Sequence, residues 1–176
     1  MTLTTTNIAT TASIVSSNER TAACANQSTT QSTTDRQAVA RIADFFQQLQ
    51  PSDVARMGEL YAPDAWFKDP FNEVRGLTEV QAIFSHMYVA LDQPHFVVTR
   101  QLVDGVECFL TWDFVFRFKR FDTARWQTVR GGSHLKLSPE GLVTFHRDYW
   151  DTAEELYEKL PLIGGLMRWL KRRAKQ

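Results

Sequence analysis

Cysteine is scarce in this sequence, which contains only Cys24 and Cys108 among its 176 residues. Their spacing forms neither a metal-binding nor a redox motif, and two cysteines do not make a disulfide framework. No apolar run approaches the roughly 20 residues of a membrane-spanning helix. Lysine and arginine (20) balance aspartate and glutamate (20), so the strongly basic face of a nucleic-acid binder is not expected. These absences predict a reduced, soluble, cytoplasmic protein that binds no nucleic acid.

Cofactor and metal motifs are also absent. The sequence has no glycine-rich phosphate-binding loop, so we expect no cofactor. His134 and His146 are related across a turn at 138–141, but a zinc site needs a third ligand at a fitting distance. The other two histidines, His86 and His95, belong to different elements, and we therefore predict no metal site.

The composition changes near residue 35. Residues 1–34 contain 16 Ser or Thr and no aromatic residue, which is typical of a disordered tail. The stretch lacks the basic and apolar regions of a signal peptide, although a targeting segment of unusual composition remains an alternative. Residues 35–160 have enough apolar residues for one folded domain with a pocket. Residues 161–176 are predicted to form a basic amphipathic helix.

Helical and strand-like periodicities follow one another in this domain. Apolar residues at helical spacing predict helices that begin near Thr34, Ser52 and Thr78. Asp151 is expected to cap a last helix. Alternating residues predict the strands 65–68, 95–103, 107–121, 125–138 and 142–150. This order predicts an α+β fold: a cone-shaped, curved antiparallel or mixed sheet, of the cystatin-like α+β barrel type, with the N-terminal helices packed over a hydrophobic pocket.

Two segments carry a family resemblance. Residues 61–71 read YAPDAWFKDPF and contain Asp69-Pro70, and residues 141–151 read GLVTFHRDYWD and contain Asp148. The first is similar to the ketosteroid isomerase segment whose Asp-Pro carries the catalytic base. The second is similar to the last strand of limonene epoxide hydrolases, whose Arg-Asp-Tyr supplies a catalytic aspartate. The domain thus resembles the nuclear transport factor two-like superfamily, which also includes SnoaL-type polyketide cyclases, and this implies their fold and a homodimer.

The resemblance implies roles for individual residues. Asp69 stands at the position of the isomerase base, and Asp148 stands at the position of the hydrolase aspartate. Other family positions that carry hydroxyl or charged groups in the relatives are mostly apolar here: Phe45 and Ser133 at the isomerase oxyanion hole, Phe84 at its supporting tyrosine, and Trp112 and Phe114 at the hydrolase Arg-x-Asp pair. Neither relative's full catalytic set is therefore present.

Two carboxylates are candidates for proton transfer. Asp69 follows a buried strand, where desolvation makes a carboxylate a better base, but an Asp before Pro70 also makes ordinary Asx-type turns. Asp148 shares one face of the strand 142–150 with His146 and Trp150, so Asp148 and His146 are predicted to flank a small substrate. The alternative is an ion pair of Asp148 with Arg130 or with neighbours of Arg147, with His146 on an exposed rim. The predicted ligand-binding residues are Phe45, Phe84, Tyr88, Trp112, Phe114, Ser133 and Trp150.

The leading functional hypothesis is a small enzyme acting on an apolar, oxygen-bearing molecule. Isomerisation, cyclisation or hydration would proceed by proton transfer on Asp148 and Asp69, with His146 assisting. A rival hypothesis is a non-catalytic binding or accessory protein with the same pocket. A third is peripheral membrane contact through residues 162–175, where an apolar helix face lies opposite basic residues. A homodimer through the outer face of the sheet is also expected.

Overall fold

The N-terminal helices of the domain bury one apolar face each. The computed structural model describes residues 35–120, 122–159 and 163–174, and the predicted tail 1–34 lies outside them. Helix α1 spans 35–48 and is followed by a 3-10 helix, Pro51–Glu59. The apolar residues of α1 recur every three or four positions, so they all point to one side. The periodicity predicts an inward face of Val39, Ile42, Ala43 and Phe46, and all four are buried, as are Asp35 and Ala38.

Six strands form one mixed sheet with the order β2-β1-β6-β5-β4-β3. The pair β1 and β6 is parallel, and the other neighbouring strands are antiparallel. The remaining elements in chain order are β1 (Tyr61–Lys68), β2 (Glu73–Arg75), α2 (Leu77–Ala90), β3 (Leu91–Asp104), β4 (Glu107–Phe118), β5 (Gln127–Leu137), β6 (Val143–Tyr149), α3 (Thr152–Glu155), a 3-10 turn (Tyr157–Lys159) and α4 (Ile163–Ala174). The predicted α+β class is confirmed, with a curved sheet that does not close.

The structure corrects the starts of two strands and one helix and adds a short strand; β3 begins at Leu91 rather than at residue 95. The strand predicted at 65–68 begins earlier, at Tyr61, and the short strand β2 was not predicted. Helix α2 begins at Leu77 rather than at a Thr78 capping box, because Gly76 precedes it with a φ of 104°, a conformation that glycine adopts without strain. The Gly76 N–H donates to the Ala65 carbonyl, which ties the start of α2 to β1.

The concave face of the sheet and the helices enclose the core. Along β4, Leu110, Trp112, Phe114 and Phe116 face the helices, while the alternate residues Thr111, Asp113 and Val115 point to the outer face. Two irregularities in the pairing of β3 with β4 break the regular ladder, as bulges do where a sheet bends. An apolar cavity lies between this face and α2.

The C-terminal helix α4 packs mainly against the 3-10 turn Tyr157–Lys159. Lys171 bridges back to Glu154 and Glu158, with nitrogen–oxygen distances of 2.8 and 3.1 Å. Among the residues that the structure describes, no helix is long and apolar enough to cross a membrane.

Candidate active site

A cavity of about 340 Å³ lies beneath α2, and its wall is almost entirely apolar. Aromatic side chains come from α1, α2 and the strands β1, β3 and β4. The polar residues of the wall are Asp69, Asn72, His86, Ser133, His146 and Asp148. A mostly apolar wall with a few polar groups is typical of a small-molecule site.

Strand β6 brings His146 and Asp148 to the cavity. They are two positions apart, so both side chains project from the same face of the strand. The Nε2 atom of His146 lies 2.8 Å from Oδ1 of Asp148, and only 3% of His146 is exposed. The alternative ion pair with Arg130 is wrong, because Arg130 lies 3.7 Å from Glu155, and the buried histidine is not on an exposed rim.

Ser133 and Trp112 hold Asp148 from the other side. The β5–β6 register places Ser133 opposite Asp148, and the Ser133 hydroxyl donates to Oδ1 of Asp148 over 2.5 Å. The Trp112 indole N–H donates to the Ser133 oxygen over 2.9 Å. With these partners, Oδ1 of Asp148 accepts two hydrogen bonds, and the carboxylate has a defined orientation.

Tyr61 extends this network and was not among the predicted site residues. Its hydroxyl oxygen lies 2.5 Å from Nδ1 of His146, and the two rings are nearly parallel with centroids 5.9 Å apart. Burial, together with the negative charge of Asp148, raises the pKa of Tyr61 well above its usual value, so the hydroxyl keeps its proton. The sequence indicated only that Tyr61 points inward; the parallel pairing of β1 with β6 brings it to His146.

Asp69 occupies a turn and the cavity wall at once. Its Oδ1 accepts the backbone N–H groups of Phe71 and Asn72 over 2.7 and 2.6 Å, and its Oδ2 accepts the Asn72 side-chain amide over 2.9 Å. This is the Asx-type turn that the sequence allowed. The carboxylate nevertheless lines the cavity together with Asp148.

Two of the predicted ligand-binding residues lie outside the cavity wall. Phe45 packs against the core beside Phe46, and successive residues of a helix point about 100° apart, so Phe46 reaches the cavity instead. The Tyr88 hydroxyl donates to the Leu49 carbonyl over 2.7 Å, and burial raises the pKa of Tyr88 to about 12. The predicted residues that do line the cavity are Phe84, Trp112, Phe114, Ser133 and Trp150.

The two strand histidines point to opposite faces of the sheet. His146 is opposite Leu135 in the sheet and shares its inner face, whereas His134 is opposite Arg147 on the outer face. There the Nε2 atom of His134 lies 3.0 Å from Oε2 of Glu107. Within the described part of the chain, no three His, Cys, Asp or Glu side chains are grouped so that they would hold a metal ion.

The arrangement is suited to moving a proton within an apolar space. The Asp148 side chain is 17% exposed and reaches the cavity, and only Oδ1 takes part in the hydrogen bonds described above. A carboxylate fixed through one oxygen keeps the other available to accept or return a proton.

Comparisons with known proteins identify the domain. The family model of the SnoaL-like domain matches residues 42–146, more than half of the chain. Comparison with curated protein sequences gives no match.

Solved structures with this fold are distant in sequence. The LEH-like epoxide hydrolase of M. tuberculosis is 15% identical with a TM-score of 0.58, covering 80% of this chain and 98% of its own. A candidate SnoaL-like polyketide cyclase from Jannaschia sp. CCS1 is 16% identical with a TM-score of 0.60, covering 70% and 90%. A Catenulispora acidiphila protein with a ketosteroid isomerase-like fold, in complex with trimethylamine, is 16% identical with a TM-score of 0.58, covering 68% and 88%. At these identities the structures show the shared fold alone, and the family match shows that the chain belongs to the SnoaL-like domain family.

Proposed function

We propose that the protein binds a small apolar, oxygen-bearing molecule and catalyses a cofactor-independent proton transfer on it. The reaction class is isomerisation, cyclisation or hydration. The observation that carries this proposal is the carboxylate of Asp148, which Ser133 and His146 hold at the wall of a largely apolar cavity. Two fold neighbours described as a candidate polyketide cyclase and an epoxide hydrolase support this choice of reaction class.

Asp148 is the proposed base and acid. Its free oxygen takes a proton from a carbon next to a carbonyl, or from a water, and returns that proton to a second atom of the same molecule. His146 donates to the other carboxylate oxygen and keeps the carboxylate in place. Asp69, on the same cavity wall, is the second candidate carboxylate. No electrons are transferred to or from the substrate, so the step needs no redox cofactor.

The cavity size and lining define the substrate class. A volume of about 340 Å³ is at the lower end of the range for small-molecule sites. Phe84, Trp112 and Phe114 present apolar surface, which favours a steroid-like, polyketide or fatty-acid-derived skeleton. An oxygen function on that skeleton would be placed toward Asp148 and Ser133.

The test compares wild type with Asp148→Asn. Native mass spectrometry of the purified protein, and thermal shift with sterols, fatty acids and polyketides, identify a bound compound. The compound is then incubated with each protein. We expect both to bind it and only wild type to convert it, because the amide keeps the shape of the carboxylate but is no base. Asp113→Asn, on the outer face of β4, is the matched control and keeps full activity. Equal conversion by Asp148→Asn would contradict the proposed role.

A non-catalytic binding or accessory protein is the alternative within the same fold. It is favoured by Phe84, Trp112 and Phe114, which stand where the resembled enzymes carry hydroxyl or charged groups. A compound that wild type and Asp148→Asn hold equally and neither converts would support this alternative. A cavity that takes up none of the compounds would favour an accessory role through a protein partner.

We further propose that the protein forms a homodimer, is located in the cytoplasm and binds no nucleic acid. The outer face of the sheet supports self-association, because the Trp66 and Phe145 rings stack there 4.7 Å apart and Tyr149 is 44% exposed. Light scattering after size exclusion should give twice the chain mass for wild type. The mass should fall to one chain for a Trp66→Glu variant that stays folded.

Helix α4 supports membrane contact as a second candidate function. Leu166, Trp169 and Leu170 form one exposed apolar face, with 54%, 46% and 45% of each residue accessible. Lys171, Arg172 and Arg173 follow in the last turn, which suits an anionic lipid surface. Wild type should sediment with phosphatidylserine vesicles and not with phosphatidylcholine vesicles. A variant with glutamine at the three apolar positions should stay in solution, and equal sedimentation of the two proteins would contradict membrane contact.

A further inference from the structure

The hydroxyl of Tyr61 is a buried polar group that does not face the cavity. Tyr61 is 1% exposed, and the hydroxyl's hydrogen-bond partner within the described residues is Nδ1 of His146. A phenylalanine would fill the same space without the cost of removing a hydroxyl from water. The structure therefore retains a polar atom at a position where core packing alone does not need one.

The hydrogen-bond directions around His146 form one consistent set. The Tyr61 hydroxyl keeps its proton, because burial and the charge of Asp148 raise its pKa. It is therefore a donor, and among the residues that the structure describes its acceptor is Nδ1 of His146, 2.5 Å away. A nitrogen that accepts a hydrogen bond carries no proton, so the proton of the neutral imidazole lies on Nε2.

This tautomer suits Asp148. The Nε2–H group donates to Oδ1 of Asp148 over 2.8 Å, and the Ser133 hydroxyl donates to the same oxygen. The other tautomer would place the lone pair of Nε2 against a carboxylate oxygen, where two acceptors repel each other. In many active sites a further group orients the side chain that holds the catalytic residue. Here Tyr61 would orient His146, which holds Asp148.

We propose that Tyr61 is a positioning residue that holds His146 as the neutral Nε2–H tautomer and thereby turns Asp148 so that its free oxygen faces the cavity. The proposal rests on the proposed function for its use in catalysis, since it concerns the orientation of the same carboxylate. In this relay the Tyr61 hydroxyl donates to Nδ1 of His146, and the Nε2–H group of His146 donates to Oδ1 of Asp148. Oδ2 of Asp148 then faces the bound molecule.

The state of His146 is measured directly in wild type by ¹⁵N NMR of labelled histidine side chains. We expect one neutral tautomer at pH 7, with the proton on Nε2 and a hydrogen-bonded Nδ1. The His146 signals are assigned by their loss in His146→Gln. A proton on Nδ1, or on both nitrogens, would overturn the proposal, and this measurement requires only the wild-type protein to fold.

Tyr61→Phe then tests the cause. Removing the donor should move the Nδ1 resonance of His146 to that of an unbonded nitrogen. Tyr88→Phe is the matched control, because its hydroxyl is also hydrogen-bonded but to the Leu49 carbonyl, away from His146. We expect no change in the His146 spectrum of this control. An unchanged spectrum in a folded Tyr61→Phe protein would show that Tyr61 does not hold the imidazole.

Turnover separates this proposal from the proposed function. With a converted compound in hand, Tyr61→Phe should lower kcat about tenfold, the effect of one hydrogen bond lost, and leave KM within about twofold. An unchanged kcat would refute the positioning role even if the tautomer is as expected. If no compound is converted by wild type while the spectra are as expected, the catalytic proposal fails and the tautomer assignment stands.

Discussion

Gly131 allows the indole of Trp112 to reach Ser133, and its replacement by alanine tests the candidate site from a distance. The two residues are opposite each other in the β4–β5 register, and the indole lies across the glycine. A Cβ atom built on Gly131 would be 2.4 Å from the end of the indole, whereas ordinary contacts begin near 3.4 Å. The ring must therefore move by about 1 Å, because the pairing of Gly131 with β4 limits the movement of its backbone.

The expected cost follows from two effects. Forcing an extra carbon into a packed space costs about 1–3 kcal/mol. Moving the indole also lengthens its 2.9 Å hydrogen bond to Ser133, and leaving that buried N–H without an acceptor costs about 1–3 kcal/mol. Alanine restricts the unfolded chain more than glycine does, which returns about 0.5–1 kcal/mol. We expect Gly131→Ala to lower the free energy of unfolding by about 1–5 kcal/mol.

Urea denaturation gives the stability, and the indole N–H resonance of Trp112 reports on the hydrogen bond. The resonance is assigned by its absence in Trp112→Phe. Gly132→Ala is the comparison variant: its Cβ would be 2.4 Å from the Phe109 ring on the outer face, so stability should also fall while the Trp112 resonance stays. The reasoning is refuted by a Gly131→Ala protein whose stability lies within 0.5 kcal/mol of wild type and whose Trp112 resonance is unmoved.

Three further predictions concern stability away from the cavity. Asp151→Ala should cost about 1 kcal/mol in urea denaturation, because the Asp151 carboxylate caps α3 by accepting the N–H of Ala153 over 2.9 Å; Asp151→Ser should restore most of it. Tyr88→Phe should cost about 1 kcal/mol through its bond to Leu49, and an unchanged urea midpoint would contradict this. Burial raises the pKa of Cys108 from 9.0 to about 12, so above pH 9 the unfolded chain loses its thiol proton before the folded protein does. The free energy of unfolding should therefore fall between pH 9 and 12, by up to about 4 kcal/mol, and this loss should be absent below pH 9. Cys108→Ala should therefore lose less stability than wild type over this range, and equal losses in urea melts would contradict the assignment.

Local patterns predicted the elements and their buried faces well. The spacing of Val39, Ile42 and Phe46 defined the inward side of α1, and alternation defined the inward side of β4 and β6. These predictions succeed because the helical and strand periods fix which side chains share a face, whatever the element packs against. The same reasoning placed His146 and Asp148 on one face before any partner was known.

Alternation could not predict which strands are neighbours. The parallel pairing of β1 with β6 joins segments about 80 residues apart, and it brings Tyr61 to His146. The boundary at Leu77 was missed for a related reason, since the Gly76 bond to Ala65 depends on the tertiary position of β1. Such a pairing depends on how the helices and the sheet pack together, and the local sequence pattern of a strand does not indicate it.

The sequence by itself determined the α+β class, the four long strands and the shared face of His146 and Asp148, because these depend on the period of the backbone. Only the tertiary structure decided that Asp148 is held by Ser133 and that Tyr61 stands behind His146. It also decided that Phe45 and Tyr88 lie off the cavity wall. The contacts of Asp148 and Tyr61 depend on strand register, since a shift of one residue would turn the side chains of a strand to the other face of the sheet. The positions of Phe45 and Tyr88 depend on how the helices pack against the sheet.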